Sequence, residues 1–210
     1  MTEKVYKALT KVALKLHNLS YKFATGLAIK AEGGFHPKHR LTDYHRFFVD
    51  NVAKGDAVFD IGCGNGALTY DLAKKAGCVV GIDIDEEGIG SARKRYSAPN
   101  IKYIVGDATK YRFKEKFDVV VLSNVLEHIE NRVEFLEKIK KLAPRILIRV
   151  PMVDRDWITL YKKEQGVEWR LDPTHRTEYT LESFQEELQR VGLRLGKYSV
   201  QFGEIWAVVK

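Results

Sequence analysis

From Gly55 onward the chain alternates short, almost wholly apolar runs with amphipathic stretches: "AVFDI", "GALTYDLAKKAG", "CVVGIDI", "EEGIGSARKRYS", "IKYIVGD", "FDVVVLSN", a helical stretch from about Arg132 to Leu142, and "RILIRV". Runs this uniformly apolar are buried on both faces, and strands separated by helices join by right-handed crossovers into a parallel sheet. The tail departs from that rhythm. A helix, "TLESFQEELQRVG", leads into "RLGKYSVQFG" and "EIWAVVK", two strands joined by a short Gly-containing turn and therefore antiparallel. The expectation is an α/β fold, a doubly wound, mostly parallel seven-stranded sheet over residues 55–210. The chain has 210 residues, 45% of them hydrophobic, enough for one such core.

Ahead of the sheet lies a helical arm, residues 1–54. Val5, Leu9, Val12, Leu16, Leu19, Phe23 and Leu27 recur every three or four residues with lysines between them, the pattern of one amphipathic helix ending near Gly33-Gly34. A second helical stretch, from Leu41 to about Val52, places Leu41, Tyr44, Phe48 and Val52 on one face. The arm is expected to pack on the core, as a lid or as the seam of a homodimer. The formal charge is +7, and five units of the excess fall within residues 1–53. Such a bias suits phosphates, nucleic acid, an anionic surface or plain solvation of a helix face.

No run approaches a membrane span, and "MTEKVYKALTK" lacks the apolar block of a signal peptide, so a cytoplasmic location is expected. Cys63 and Cys78 lie in apolar surroundings without the close spacing of a zinc or redox pair; they are expected to be reduced and structural.

In doubly wound sheets a ligand binds beyond the carboxyl ends of the strands. "DIGCGNG" sits there, and Gly62, Gly64 and Gly66 let the chain turn sharply and a ligand approach bare backbone. "IDID" closes the next apolar run; its Asp83 is placed to accept ribose hydroxyls, which implies adenosine. The spacing G-x-G-x-G differs from the dinucleotide pattern, and Asp60 precedes the first glycine. An acid there repels a pyrophosphate and suits a sulfonium or ammonium group.

With these residues in hand the chain resembles the class I S-adenosylmethionine-dependent methyltransferases, whose fold is Rossmann-like. "VFDIGCGNG" is similar to their glycine-rich first motif, "GIDID" to the ribose-holding strand, "IVGDA" to the adenine-facing segment, and "FDVVVLSNVLEHI" to the fourth strand and the loop lining the transfer site. The resemblance implies S-adenosylmethionine held by Asp60, Gly62, Cys63, Gly64, Asn65 and Gly66 at its methionine end. It implies Asp83 and Ile84 at the ribose, Asp107 and Ala108 at the adenine, and Ser123 and Asn124 near the sulfonium. His128, just past the fourth strand, is the candidate base, with His175 as a second catalytic candidate.

Residues 151–180 form a long connection at this face, carrying Trp157, Tyr161, Trp169 and His175, and are read as a substrate-side insertion. The "LEH" run resembles methyltransferases acting on quinones, sugars and other small molecules. The expected reaction is therefore in-line O-methylation of a small molecule, with no metal assigned. Two alternatives stay open. Glu127, His128 and His175 match three of the four metal-binding positions of the small-RNA 3′-terminal 2′-O-methyltransferases, with Asn124 where that family has Glu. The chain is also compatible with a non-catalytic subunit that binds S-adenosylmethionine or docks on a partner.

Overall fold

The computed structural model describes residues 2–34, 36–112 and 115–210. Strands β1 (Ala57–Ile61), β2 (Cys78–Asp83), β3 (Ile101–Val105), β4 (Val119–Ser123), β5 (Arg145–Pro151), β6 (Leu195–Gln201) and β7 (Glu204–Val209) form one seven-stranded sheet in the order β3-β2-β1-β4-β5-β7-β6. β3, β2, β1, β4 and β5 are parallel, whereas β7 runs antiparallel to both β5 and β6. The order reverses at β1 and β4. Their carboxyl ends thus flank the crevice in which such sheets bind ligands.

Two apolar layers cover the sheet, and strand alternation decides which residue enters which. Phe59, Ile61, Val120, Leu122, Ile146, Ile148, Ile205 and Ala207 face helices α6 (Arg132–Ile139) and α8 (Leu181–Arg190). Val58, Val119, Val121, Leu147, Trp206 and Val208 face α3 (Tyr44–Asp50) and α4 (Ala67–Ala73). Asp60, Ser123, Arg149 and Glu204 continue this second face at the crevice end, so four polar side chains share one side of the sheet. The remaining crossover helix, α5 (Glu86–Arg95), follows β2 and is capped by Asp85, whose side chain accepts the Glu87 N–H.

The arm comprises α1 (Glu3–Ala31), α2 (Lys38–Thr42) and α3. The second helical stretch is broken at Asp43, whose backbone is left-handed (φ 48°). Tyr44, Phe48 and Val52 are buried as expected, but Leu41 is 64% exposed because the break turns α2 away from the core. The first helix corrects the expectation further. Leu14 is its one buried residue, and the stripe from Val5 to Leu27 faces solvent, each of the seven side chains being between 40% and 67% exposed. Contacts with the rest of the chain lie on the other side, where the Asn18 amide donates to the Glu168 carbonyl (2.7 Å) and His17 Nδ1 meets Lys162 Nζ (3.0 Å).

Within residues 151–180 a helix, α7 (Trp157–Glu164), is capped by Asp156, whose carboxylate accepts the Thr159 N–H (2.6 Å). Both cysteines are free; Cys63 is buried in the turn after β1, while Cys78 is exposed at the start of β2. No helix among the described residues is long and apolar enough to cross a membrane.

Candidate functional site

The turn after β1 is built from three left-handed glycines with different neighbours. At Gly62 (φ +71°) an added Cβ would come within 2.4 Å of Val125 Cγ2, so this glycine lets β1 pack against the segment after β4. Gly64 (φ +51°) faces open space, the one position of the three where bare backbone is left for a ligand. The carboxylate of Asp83 braces the turn from the neighbouring strand: Gly64 N–H donates to Oδ2 (2.7 Å) and Asp85 N–H to Oδ1 (2.9 Å). Asp83 therefore shapes the glycine loop in addition to presenting its oxygens beyond β2.

The cleft beside this turn is lined by Asp60, Gly62, Cys63, Gly64, Asn65 and Ser123, together with His39 and Tyr44 from the arm. Asp60 is buried, and its Oδ2 accepts a hydrogen bond from the Thr69 hydroxyl (2.6 Å). Burial pushes its carboxyl up to about 7; the Thr69 bond works against that rise, and the Asp83 carboxylate adds to it. A positive charge placed beside it favours the ionised form, its proton passing to solvent.

His39 and Tyr44 lie outside the set expected from sequence and enter from the arm. The Tyr44 hydroxyl meets His39 Nδ1 (2.9 Å), and burial, reinforced by His45, His36, Arg149 and Lys38, lowers the His39 imidazole to about 4. His39 is accordingly neutral at physiological pH. Behind Tyr44 the Arg149 guanidinium stacks 3.8 Å from the ring centroid and forms a bidentate pair with Glu204 (2.7 and 3.0 Å), which Lys38 joins (2.5 Å). Burial raises the Glu204 carboxyl, but Arg149 and Lys38 outweigh it and hold the group below the usual range. This buried network pins α2 and α3 over the sheet. The signals for it were the second Arg of "RILIRV", set among apolar residues, and a Glu opening "EIWAVV".

Past β4, Asn124 takes up a left-handed backbone (φ 56°), and its Oδ1 is buried without a hydrogen-bond partner. The 3₁₀ turn Leu126–His128 follows. Glu127 is fully buried, and neither carboxylate oxygen has a partner at full hydrogen-bond geometry. Burial raises the group to about 7, opposed by its own backbone N–H, His175, the nearby Asn124 amide and Arg149. Its carbonyl accepts the Arg176 N–H (2.7 Å), which ties this turn to the end of residues 151–180. That tie brings His175 against His128, with ring centroids 4.7 Å apart.

Each imidazole is held through Nδ1. His128 Nδ1 meets the Thr174 hydroxyl (3.0 Å), which in turn donates to Asp172 (2.7 Å), and His175 Nδ1 meets the Glu178 carboxylate (2.8 Å). Glu178 also pairs with Arg155 and accepts the Leu171 N–H (2.6 Å), so one buried carboxylate organises the whole insertion. Burial and the facing His175 lower the pKa of His128. One ligand atom from each of Glu127, His128 and His175 fits within a mutual distance of 4.8 Å.

Of the other expected residues, Ile84 projects its apolar side chain into solvent beyond β2. Asp107 accepts from the Thr109 hydroxyl (2.6 Å) and N–H (2.9 Å) and pairs with Lys110 (3.1 Å). The Thr109 bonds, and then Lys110, hold it below the usual carboxylate range although burial opposes them. The Ala108 carbonyl accepts from Lys138 (3.1 Å). The structure thus brings Asp60, the glycine turn and Ser123 into one cleft and gathers Asn124, Glu127, His128 and His175 beyond it, with Asp83, Ile84, Asp107 and Ala108 outside the cleft lining.

Comparison with known proteins accords with this geometry. Residues 58–144 match the family model described as "Methyltransferase domain". The chain is 33% identical over 107 residues to the ubiquinone biosynthesis O-methyltransferase of Shewanella halifaxensis, covering 48% of this chain and 45% of that protein. It is 32% identical over 127 residues to an uncharacterized protein of Methanocaldococcus jannaschii, covering 56% and 45%. The chain spans about half the length of the curated relatives it matches. Magnesium protoporphyrin IX methyltransferase from Synechocystis PCC 6803, solved with bound S-adenosylhomocysteine, superposes with a TM-score of 0.63 at 22% identity over 82% of this chain and 83% of that one. The fold is the Rossmann-like one expected.

Proposed function

Because residues 58–144 match the methyltransferase-domain family model, we propose that the chain transfers the methyl group of S-adenosylmethionine to an oxygen atom of a small molecule. The donor lies along the Gly62–Gly66 turn, its sulfonium and amino group toward Asp60, its ribose at Asp83 and Ile84, its adenine at Asp107 and Ala108. Cys63 and Asn65 line its methionine end, with Ser123 and Asn124 beside the sulfonium. The sulfonium is already activated, so the protein's work is to align donor and acceptor and to take the acceptor's proton.

His128, neutral because its pKa is lowered, accepts the hydroxyl proton as the oxygen–carbon bond forms and the carbon–sulfur bond breaks, leaving neutral S-adenosylhomocysteine. His175 and Glu127 orient the hydroxyl. The observation that carries this reading is Glu127: a fully buried carboxylate without a partner at full hydrogen-bond geometry, in the turn after the fourth strand and beside two imidazoles, is costly unless a ligand completes it. The O-methyltransferase name of the Shewanella relative supports oxygen as the accepting atom.

The test is calorimetric titration with S-adenosylmethionine and S-adenosylhomocysteine, followed by transfer of labelled methyl groups to a panel of phenols, catechols and sugars. No heat of binding with either adenosyl compound overturns the enzymatic reading. Binding without transfer to any acceptor would favour a non-catalytic subunit.

A second reading rests on the convergence of Glu127, His128 and His175. A carboxylate with two imidazoles suits a divalent transition-metal ion, and the Glu178 and Thr174 contacts to Nδ1 leave Nε2 of each ring for it. Such an ion supplies a Lewis acid for an acceptor hydroxyl, and the acceptor of this reading is the terminal 2′-hydroxyl of an RNA. Asn124 in place of a carboxylate lowers the negative charge available to the ion. Activity on a small phenol that is unchanged by a chelator rejects this reading; activity on RNA ends that is lost with chelator and restored by Mn²⁺ establishes it.

A further inference from the structure

The methyl-transfer reading leaves the outward face of α1 unused. The stripe that includes Leu9, Leu16 and Phe23 is exposed from Val5 to Leu27, a length of about 33 Å at the helical rise. At about 100° per residue its side chains fall within an arc of roughly 80°, on the side opposite Leu14. Lys4, Lys11, Lys15 and Lys22 border it along one edge, and Glu3 is the only acid of the helix. His17 and Asn18, held by Lys162 and Glu168, fix the helix on the domain with this face outward.

We infer that α1 is a membrane-surface helix. It lies in the plane of an anionic phospholipid bilayer, with the Leu9, Leu16 and Phe23 side among the acyl chains and the lysines at the level of the phosphates. The combination of a continuous apolar stripe, a row of lysines at its border and near absence of acid matches the chemistry of such a surface. The lysine stems reach along the apolar edge while their ammonium groups meet headgroup phosphates. Nothing in the helix is apolar enough to span the bilayer, so the contact is interfacial.

Charge decides against the two other occupants. A second copy of the helix would bury the stripe but bring lysine rows to the seam with a single acid, Glu3, on each helix to answer them. A nucleic acid would neutralise the lysines but leave an aliphatic stripe in water, since Phe23 alone within it can stack on a base.

The full chain is sedimented with phosphatidylcholine vesicles and with vesicles in which about half the lipid is phosphatidylglycerol, the anionic charge drawing the lysines. The expected result is co-sedimentation that needs about tenfold less lipid when the vesicles are anionic. Leu9→Glu/Leu16→Glu abolishes it, and Lys11→Gln/Lys15→Gln/Lys22→Gln removes the preference for anionic lipid. All five side chains are exposed, so the thermal melt of each variant should match the parent, which separates lost docking from lost folding. A chain that stays in the supernatant with both vesicles, or sediments equally after Leu9→Glu/Leu16→Glu, overturns the proposal. It is overturned in favour of a second copy if ultracentrifugation shows a lipid-free dimer that Leu16→Glu dissociates. Single-stranded RNA binding that is lost in the lysine variant and kept in the leucine variant overturns it in favour of nucleic acid.

Discussion

The imidazoles of His128 and His175 meet edge to face, with planes at 79°, although one follows the fourth strand and the other closes the long insertion. Neither would reach the other without the Glu127 carbonyl accepting the Arg176 N–H and Glu178 anchoring the insertion. Burial and the facing His175 lower the pKa of His128, which keeps that base available at neutral pH.

Replacing His128 by Ala is expected to lower kcat by roughly 10²-fold or more, the usual contribution of a positioned base. Affinity for S-adenosylmethionine should be unchanged, because the imidazole lies beyond the donor cleft. Single-turnover kinetics alongside calorimetry separates the two quantities, and a variant as active as the parent removes His128 from the mechanism.

Donor affinity should depend on pH through Asp60, raised to about 7 by burial. A cationic donor favours the ionised carboxylate, so affinity rises as pH goes from about 5.5 to about 8 and then levels. Binding below pH 7 should release a proton, visible as a dependence of the calorimetric heat on buffer ionisation enthalpy. Asp60→Asn should flatten the profile; an unchanged profile refutes the pairing of Asp60 with the donor's positive charge.

Glu127, also raised to about 7, bears on stability. A carboxyl raised on folding binds more protons in the native than in the unfolded state between about pH 4.5 and 7. Stability attributable to it therefore falls as pH climbs through that window and is flat above it. Glu127→Gln removes the penalty and should stabilise the ligand-free chain at pH 8 by on the order of 1–2 kcal/mol, while lowering turnover. Urea unfolding at pH 5 and pH 8 checks this, with the two proteins expected to converge at the lower pH.

The turn glycines should separate folding from binding. Gly62→Ala meets both a left-handed backbone and Val125, and is expected to cost roughly 2 kcal/mol or more. Gly64→Ala meets no neighbour, so its stability loss should be about 1 kcal/mol while donor affinity falls at least about tenfold. Denaturant midpoints and calorimetry distinguish the two; equal effects of both variants on donor binding would refute the separate roles.

What the sequence determined by itself was periodic or contiguous. Strands such as "VVVLS" and "AVFDI" are apolar on both sides and lie central in the sheet, and the antiparallel β6–β7 pair follows from its short Gly-containing turn. The glycine turn and Asp83 were legible because their spacing is short enough for local backbone geometry to enforce it. Tertiary structure decided the rest, because burial and charge depend on what a distant segment brings. Arg149 and Glu204 pair across two antiparallel strands, His39 and Tyr44 enter the cleft from the arm, and the Glu127 turn meets His175 only because its carbonyl accepts the Arg176 N–H of the insertion. The same holds for α1. Its periodicity marks an apolar face, but only its docking through Leu14, His17 and Asn18 determines that this face points away from the core.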